Sequence, residues 1–438
     1  MPDPSELFSF TSGRFVENEE HELAQRYRVF DFNELARRAA RAVQADRCLS
    51  IEKFPDVTMD NGKEVVAKIP NLNFPRPHLT IASEVATMKF AREVLCTDVP
   101  KVYDWSSMGH ETAVGAEFIL MEKVNGVELQ QVWPRMEVED RRELVKSVTA
   151  YQKSWASVTF DKYGSLYFAE DFKGENGQKV EDSRFVIGPS TSRDMFEYGR
   201  SVKKLTALES YLKLLKYVLP ADRSLGSSHL WHDALHAGNI FVDPDNPSRI
   251  VGIIDWQSTE FSPLYFQARQ PFFLDSDGPA LHGLERPTLP SEFYHLEGNA
   301  LCSVYRILLH HNMPTIFDCL EFKESMSFTL LSVARQLSID GEALYLATAC
   351  ELEKNWETLP GTQGLAFPLT LNTADREKIY EDAMSAVVGI EAMDRIKNRL
   401  GRDFPQHGFV LHHKHKKEVL SEVEAIKNEL HAQEEGPE

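Results

Sequence analysis

Trp231-His232-Asp233-Ala234-Leu235-His236-Ala237-Gly238-Asn239-Ile240-Phe241-Val242-Asp243, followed by Ile253-Ile254-Asp255-Trp256, is the stretch on which the reading of this 438-residue chain turns. Residues 239–243 and 249–255 have strand composition and are joined by the turn-rich Pro244-Asp245-Asn246-Pro247-Ser248, which predicts a hairpin. A hairpin brings Asn239 and Asp255 to adjacent ends as two oxygen donors. Mg²⁺ suits such a pair, because it takes few protein ligands and keeps water or phosphate oxygens in its remaining positions.

Toward the N-terminus, Phe32, Leu35, Ala39 and Ala42 recur at helical spacing within residues 32–45. Asp60-Asn61-Gly62 is a tight-turn signal, and the strand-like Glu64-Val65-Val66-Ala67-Lys68-Ile69 beyond it stops at Pro70. The two-residue period puts Val66 and Lys68 on one face of that strand. Residues 80–95 predict a helix with Val85, Met88 and Leu95 in its apolar stripe, Thr80 or Ser83 as N-cap, and Glu84 in its first turns. Glu117-Phe118-Ile119-Leu120-Met121-Glu122 reads as a buried strand, broken at Asn125-Gly126 by a connector between two lobes. Helices dominate the second half. Leu144, Val148, Tyr151 and Trp155 form one apolar stripe, and Leu205, Leu208, Leu212 and Leu215 form another. Val419, Val423, Ile426 and Leu430 mark a last helical face before the Glu-rich tip at 434–438.

Phosphoryl transfer requires a divalent metal to neutralise the triphosphate, a cation on its oxygens, and a carboxylate that orients or deprotonates the nucleophile. Lys68 precedes a helix bearing Glu84, the order in which a Lys–Glu pair positions phosphates, and Asn239 with Asp255 supplies the metal ligands. The carboxylate belongs five residues before Asn239. That position is Ala234, and Asp233 beside it is the candidate substitute base.

With these motifs in this order, the chain resembles the aminoglycoside phosphotransferase and choline-kinase branch of the kinase-like fold, and within it fungal proteins of the altered-inheritance-of-mitochondria protein nine type. The resemblance rests on TSGRF (11–15), PHLTIASEVATMKFAR (77–92), VPKVYDWS (99–106), GAEFILMEKVNGVEL (115–129), YGSLYF (163–168), IGPSTSR (187–193), LWHDALHAGNIFVD (230–243) and GIIDWQST (252–259). It implies an α+β, bilobal protein kinase-like fold, with a small antiparallel-sheet N-lobe and a larger, mainly helical C-lobe. The corresponding divisions are an extension over 1–30, the N-lobe over 31–124, the C-lobe over 125–410, and a C-terminal helix with an acidic tip over 411–438. ATP and Mg²⁺ are the implied cofactors, and a small hydroxylated molecule the implied substrate. Lys68 would hold phosphates and Glu84 would orient it; Met121, Glu122 and Lys123 would border the adenine; His232 would be the structural histidine of the catalytic loop; Asn239 and Asp255 would hold the metal.

Two departures from the family pattern bear on activity. The pattern His-x-Asp-Leu-His-x-Gly-Asn has Ala234 at its Asp, and a carboxylate displaced by even about 1 Å costs on the order of 100-fold in rate. The glycine-containing loop expected between residues 48–53 and 57–60 is replaced by Phe54-Pro55-Asp56, which predicts the loss of that hairpin's backbone N–H donors over the phosphates and a sheet with an exposed edge or an unsatisfied face. The resulting expectation is a phosphotransferase scaffold with impaired turnover. The alternative is a pseudokinase acting as a nucleotide-binding or protein-interaction scaffold.

Composition excludes other classes. A net charge of −19 argues against broad binding to nucleic-acid phosphates. Five scattered cysteines, odd in number, suit reduced thiols rather than a disulfide framework or a zinc site. No run approaches the roughly 20 apolar residues of a spanning helix, so a soluble protein is expected. There is no Gly-x-Ser-x-Gly elbow and no Gly-x-Gly-x-x-Gly loop. His412-His413-Lys414-His415, interleaved with lysine, reads as a solvated basic patch. The resemblance points to mitochondria, whereas the acidic MPDPSELFSFTSGRF start does not read as an Arg-rich presequence and leaves the cytoplasm as the alternative.

Overall fold

The computed structural model describes residues 7–8, 14–15, 18–52, 57–70, 77–171, 178–179, 182–192, 202–275, 281, 283–284, 296–339, 341–400, 409–410 and 416–434. Helix α1 (Phe32–Ala42) begins where the Asp31 side chain accepts from the Glu34 N–H at 2.9 Å, a cap that stabilises by about 1 kcal/mol. Its buried face, with Leu35 and Ala39, packs on a five-stranded antiparallel sheet. In chain order the strands are β1 (Cys48–Ile51), β2 (Val57–Met59), β3 (Glu64–Lys68), β4 (Val102–Ser106) and β5 (Phe118–Glu122), and in space they run β1-β2-β3-β5-β4. Arg38 of α1 clamps β4 through two bonds to the Asp104 carboxylate, at 2.7 and 3.1 Å.

Strands β1 and β2 pair despite the short connection, with Ile51 opposite Val57 and Cys48 opposite Met59, and β1 stands at one edge of the sheet. Phe54-Pro55-Asp56 itself lies outside the described residues.

Helix α2 (Leu79–Glu93) also departs from expectation at its start. It follows His78, whose φ of 68° and lack of a side-chain cap bond replace the predicted cap, while Thr80 and Ser83 are buried inside the helix. His78 is held instead by its ring, 2.6 Å from Ser107 Oγ, and by its N–H, which donates to Glu117 Oε1 at 3.3 Å. With Ile81, Val85 and Phe90 buried, α2 shares its core with the helical lobe rather than with α1. Phe90 meets Phe185 and Phe261 edge-on at centroid distances of 5.4 and 6.1 Å.

Beyond β5, Lys123 to Gly126 cross to β6 (Val127–Glu128). After it come α3 (Val138–Trp155), the buried strands β7 (Ser165–Phe168) and β8 (Phe185–Gly188), α4 (Val202–Val218), β9 (Ser228–Leu230), the hairpin β10 (Ile240–Val242) and β11 (Ile250–Ile253), and β12 (Phe261–Pro263). The connector joins the hairpin's sheet, with β6 pairing to β10 and Ile240 standing opposite Ile253. Gly126 is required there, since a Cβ would lie 2.6 Å from Val251 Cγ2 and 2.8 Å from the Val242 carbonyl.

The helices that follow are α5 (Leu296–Asn312), α6 (Pro314–Phe322), α7 (Met326–Arg335), α8 (Glu342–Lys354), α9 (Thr373–Leu400) and α10 (Lys416–Glu434). Leu144, Val148 and Trp155 are buried as their spacing predicted, and so are Val419 and Ile426 of α10. The stripe on α4 is different. Leu205, Leu208 and Leu212 are 60%, 45% and 69% exposed, and the buried face carries Ala207, Leu214 and Val218 instead. Successive helical residues are rotated by about 100°, so two neighbouring apolar stripes coexist on α4, and packing selects the one with smaller and polar members. No helix among the described residues is long and apolar enough to cross a membrane. His412-His413-Lys414-His415 and the tip at 435–438 lie outside the described residues.

Candidate active site

Lys68 closes β3 and Glu84 lies on α2. The Lys68 ammonium lies 2.7 and 2.9 Å from the two Glu84 carboxylate oxygens and 3.1 Å from Gln257 Oε1, which commits its three donors. Gln257 follows Asp255 by two residues, so one ammonium ties the sheet, α2 and the segment after β11 together. Glu84 is 3% exposed, and burial raises its carboxyl above the ordinary range; the Lys68 charge and hydrogen bond oppose this, and the Asp255 charge adds to it. Asp255 is thus close enough to Glu84 to be felt electrostatically.

Asp255 has φ of 64°, a left-handed conformation that Asp tolerates better than most residues and that still costs on the order of 1 kcal/mol. Its neighbours enforce it. The Ile254 N–H donates to the Asn239 carbonyl at 3.0 Å, the Ile254 carbonyl accepts from His232 Nε2 at 2.9 Å, and Trp256 Nε1 donates to the Ile253 carbonyl at 2.9 Å. The Asp255 side chain is exposed and has no hydrogen-bond or ion-pair partner among the described residues.

Asn239 is buried and aimed by its own loop: Nδ2 donates to the Ala234 carbonyl at 2.9 Å, and its backbone N–H to the His236 carbonyl at 3.0 Å. That leaves Oδ1 as the acceptor without a partner among the described residues. An amide oxygen and a free carboxylate on adjacent hairpin ends fit Mg²⁺, which needs no larger protein cage. Among the described residues no group of three or more His, Cys, Asp or Glu could hold a metal.

His232 is fully buried between Trp155 and Trp256, its ring 4.6 Å from the latter. Burial pushes its pKa down from 6.5 to about 4. It is therefore neutral at pH 7 with Nε2–H as donor, and Nδ1 is a buried nitrogen without a partner. Because the folded pKa lies below the unfolded one, the stability carried by neutral His232 is complete above pH 6.5 and is lost as pH falls through 4. Denaturant unfolding at pH 7 and pH 4 should differ by on the order of 3 kcal/mol more in the unaltered chain than in His232→Gln.

The other predicted residues sit as follows. Asp233 is exposed and directed to Arg269, with Oδ1 3.5 Å from Nη2, and the intermediate-exposure Ala234 beside it presents a methyl group. The Glu122 carboxylate accepts from the Lys101 N–H at 3.0 Å, Lys123 pairs with Glu64 at 3.0 Å, and Met121 is half-buried opposite Val66. The structure brings Lys68, Glu84 and Asp255 together, sets Asn239 across the hairpin from Asp255, and turns Asp233 toward Arg269. Gln257 was missed, since nothing in its local sequence marks it; only the path of the chain after Asp255 delivers it to Lys68.

An α+β protein with a small antiparallel sheet, a helical second lobe and a Lys–Glu pair near an Asn/Asp hairpin has the layout of a kinase-like scaffold. Residues 56–266, just under half of the chain, match the model of the phosphotransferase enzyme family (APH). It is 27% identical over 336 residues to a subtelomeric hrmA-associated cluster protein of Aspergillus fumigatus, covering 57% of this chain and 65% of that one. It is 32% identical over 188 residues to altered inheritance of mitochondria protein 9, mitochondrial, of Debaryomyces hansenii, covering 39% of this chain and 29% of that one. The chain thus spans under two thirds of these relatives. Among solved structures, the streptomycin–ATP–APH(2″)-IIa ternary complex aligns at 12% identity and a TM-score of 0.37, over 72% of this chain and 95% of that one.

Proposed function

We propose that this chain is a small-molecule kinase scaffold that binds ATP with Mg²⁺ between lobes meeting at the 123–126 connector, and that Ala234 impairs its turnover. The observation that carries the reading is the convergence of Lys68, Glu84 and Gln257 beside an unpartnered Asp255 carboxylate. In this reading Lys68, held in place by Glu84, exchanges its contact with Gln257 for the phosphate oxygens. Asn239 Oδ1 and the Asp255 carboxylate would hold Mg²⁺, which supplies charge neutralisation at the phosphates. Met121, Glu122 and Lys123 border the adenine. His232 takes no proton: it is neutral, buried and committed to the Ile254 carbonyl, and its work is to hold the backbone on which Asp255 turns.

What the site lacks is a carboxylate on the nucleophile. The nearest in sequence, Asp233, is engaged by Arg269. Ala234 therefore also favours the second reading, a pseudokinase that uses the nucleotide-bound scaffold for interaction. The yeast relatives are named mitochondrial, and by that likeness we assign this chain to the mitochondrion. A thermal-shift series tests the site: Mg²⁺ with ATP at about 100 times its Kd should stabilise the chain by roughly 2.7 kcal/mol. No stabilisation, or the same stabilisation in Asp255→Ala, would remove the nucleotide site from the account.

A further inference from the structure

Arg269 faces Asp233, and Lys323 lies within electrostatic reach of Arg269, Arg335 and Asp233. Arg269 approaches Asp233 at 3.5 Å, lies over the Phe272 ring at 4.8 Å, and its charge is felt by His232. Lys323, just after α6, is half-buried; its ammonium donates to the Phe266 carbonyl at 3.2 Å and lies 5.5 Å from the Phe328 ring. Among the described residues no carboxylate lies within 4.0 Å of it, and the Phe266 carbonyl is its one hydrogen-bond partner. Arg335, over the Phe266 ring at 5.1 Å, reaches Glu260 at 3.8 Å.

Burial, with the charges of Arg269 and Arg335, lowers the Lys323 ammonium to about 8, and Asp233 is the one carboxylate that opposes them. The other facing carboxylate, Glu260, already accepts from Ser190 Oγ at 2.6 Å. A chain of net charge −19 has therefore brought Arg269, Lys323 and Arg335 near one another, each against an aromatic ring. Such an arrangement repels a cationic ligand and is relieved by an anion.

We propose that the molecule bound beside Asp233 carries, besides its hydroxyl, a carboxylate or phosphate group held by Arg269 and Lys323, and that a polycationic amino sugar is excluded from this position. The inference rests on the phosphotransferase reading above. It makes Arg269 and Lys323 specificity determinants, with Asp233 displaced from Arg269 when the anion binds.

Calorimetric titrations of the full chain saturated with Mg²⁺ and ADP test it, using four probes: glycerol 3-phosphate, D-glycerate, glycerol and kanamycin. At least one of the two anions should bind about tenfold more tightly than glycerol and kanamycin, the worth of one charge-assisted hydrogen bond, and the tighter of the two identifies phosphate or carboxylate as the group recognised. Arg269→Ala and Lys323→Met should each erase that margin, and Arg269→Lys should keep part of it. Kanamycin binding as tightly as the anions, or equal anion binding by the unaltered chain and both variants, would overturn the inference. The comparison of probes on the unaltered chain stands whether or not a variant folds. Failure of ADP itself to bind would bring down the phosphotransferase reading and this inference with it, whereas ADP binding without anion preference would remove this inference alone.

Discussion

Ala234→Asp is expected to raise ATP turnover by about 10²–10⁴-fold over the unaltered chain, the usual contribution of a positioned general base. The backbone at 234 is already held for this. Its carbonyl accepts from Asn239 Nδ2 at 2.9 Å and from the His236 N–H at 2.8 Å, so a side chain added there starts from a fixed point next to the Asn239 amide. The Ala234 side chain is not in the core, and a carboxylate there meets solvent and the cleft rather than apolar packing. The change should therefore move the melting temperature little while changing rate greatly. Release of ADP, followed with a panel of hydroxylated acceptors, gives the readout. Turnover in the unaltered chain as fast as in Ala234→Asp, abolished by Asp233→Asn, would show instead that Asp233 leaves Arg269 and serves as the base.

Lys68→Met should both weaken Mg²⁺–ATP binding and destabilise the fold. Glu84 is almost fully buried, and burial alone already drives its carboxyl toward the protonated form. Removing the ammonium takes away its two charge-assisted bonds and leaves a buried charge, a loss on the order of 3 kcal/mol when one partner of a buried pair is deleted. Adding Glu84→Gln to Lys68→Met should restore most of that stability without restoring nucleotide affinity. That split separates the structural part of the pair from its part in binding. Equal stability of the single and double variants in urea unfolding would mean that Glu84 is solvated or already neutral in the unaltered chain.

How far the chain could be read without coordinates depended on how local each signal was. Asp60-Asn61-Gly62 and the 244–248 turn announce their hairpins because turn chemistry is confined to a few residues, and both hairpins are present. Helix α2 was legible as a helix, yet its start was not, since His78 is fixed by Ser107 and Glu117 from distant segments rather than by a cap of its own. The α4 stripe misled for the opposite reason: Leu205, Leu208 and Leu212 have helical spacing, but which face is covered is decided by packing between helices. The shortened stretch at Phe54-Pro55-Asp56 suggested an exposed edge or an unsatisfied face in the sheet, and β1, which pairs with β2 alone, is an edge strand. Lys68, Glu84, Asn239 and Asp255 could be named from order and spacing, and Arg269 from its place after the Asp255 strand, whereas Gln257 and Lys323 come into view only through the path of the folded chain.

The central claim is that the scaffold holds nucleotide through the Asn239–Asp255 hairpin even though Ala234 replaces the base. Calorimetric titration of ATP into the unaltered chain, with Mg²⁺ and again with the metal chelated, tests it most directly. The account predicts one saturable site that requires Mg²⁺ and weakens at least about tenfold in Asp255→Ala. Absence of binding with Mg²⁺ present, or binding indifferent to both the metal and Asp255, would contradict it.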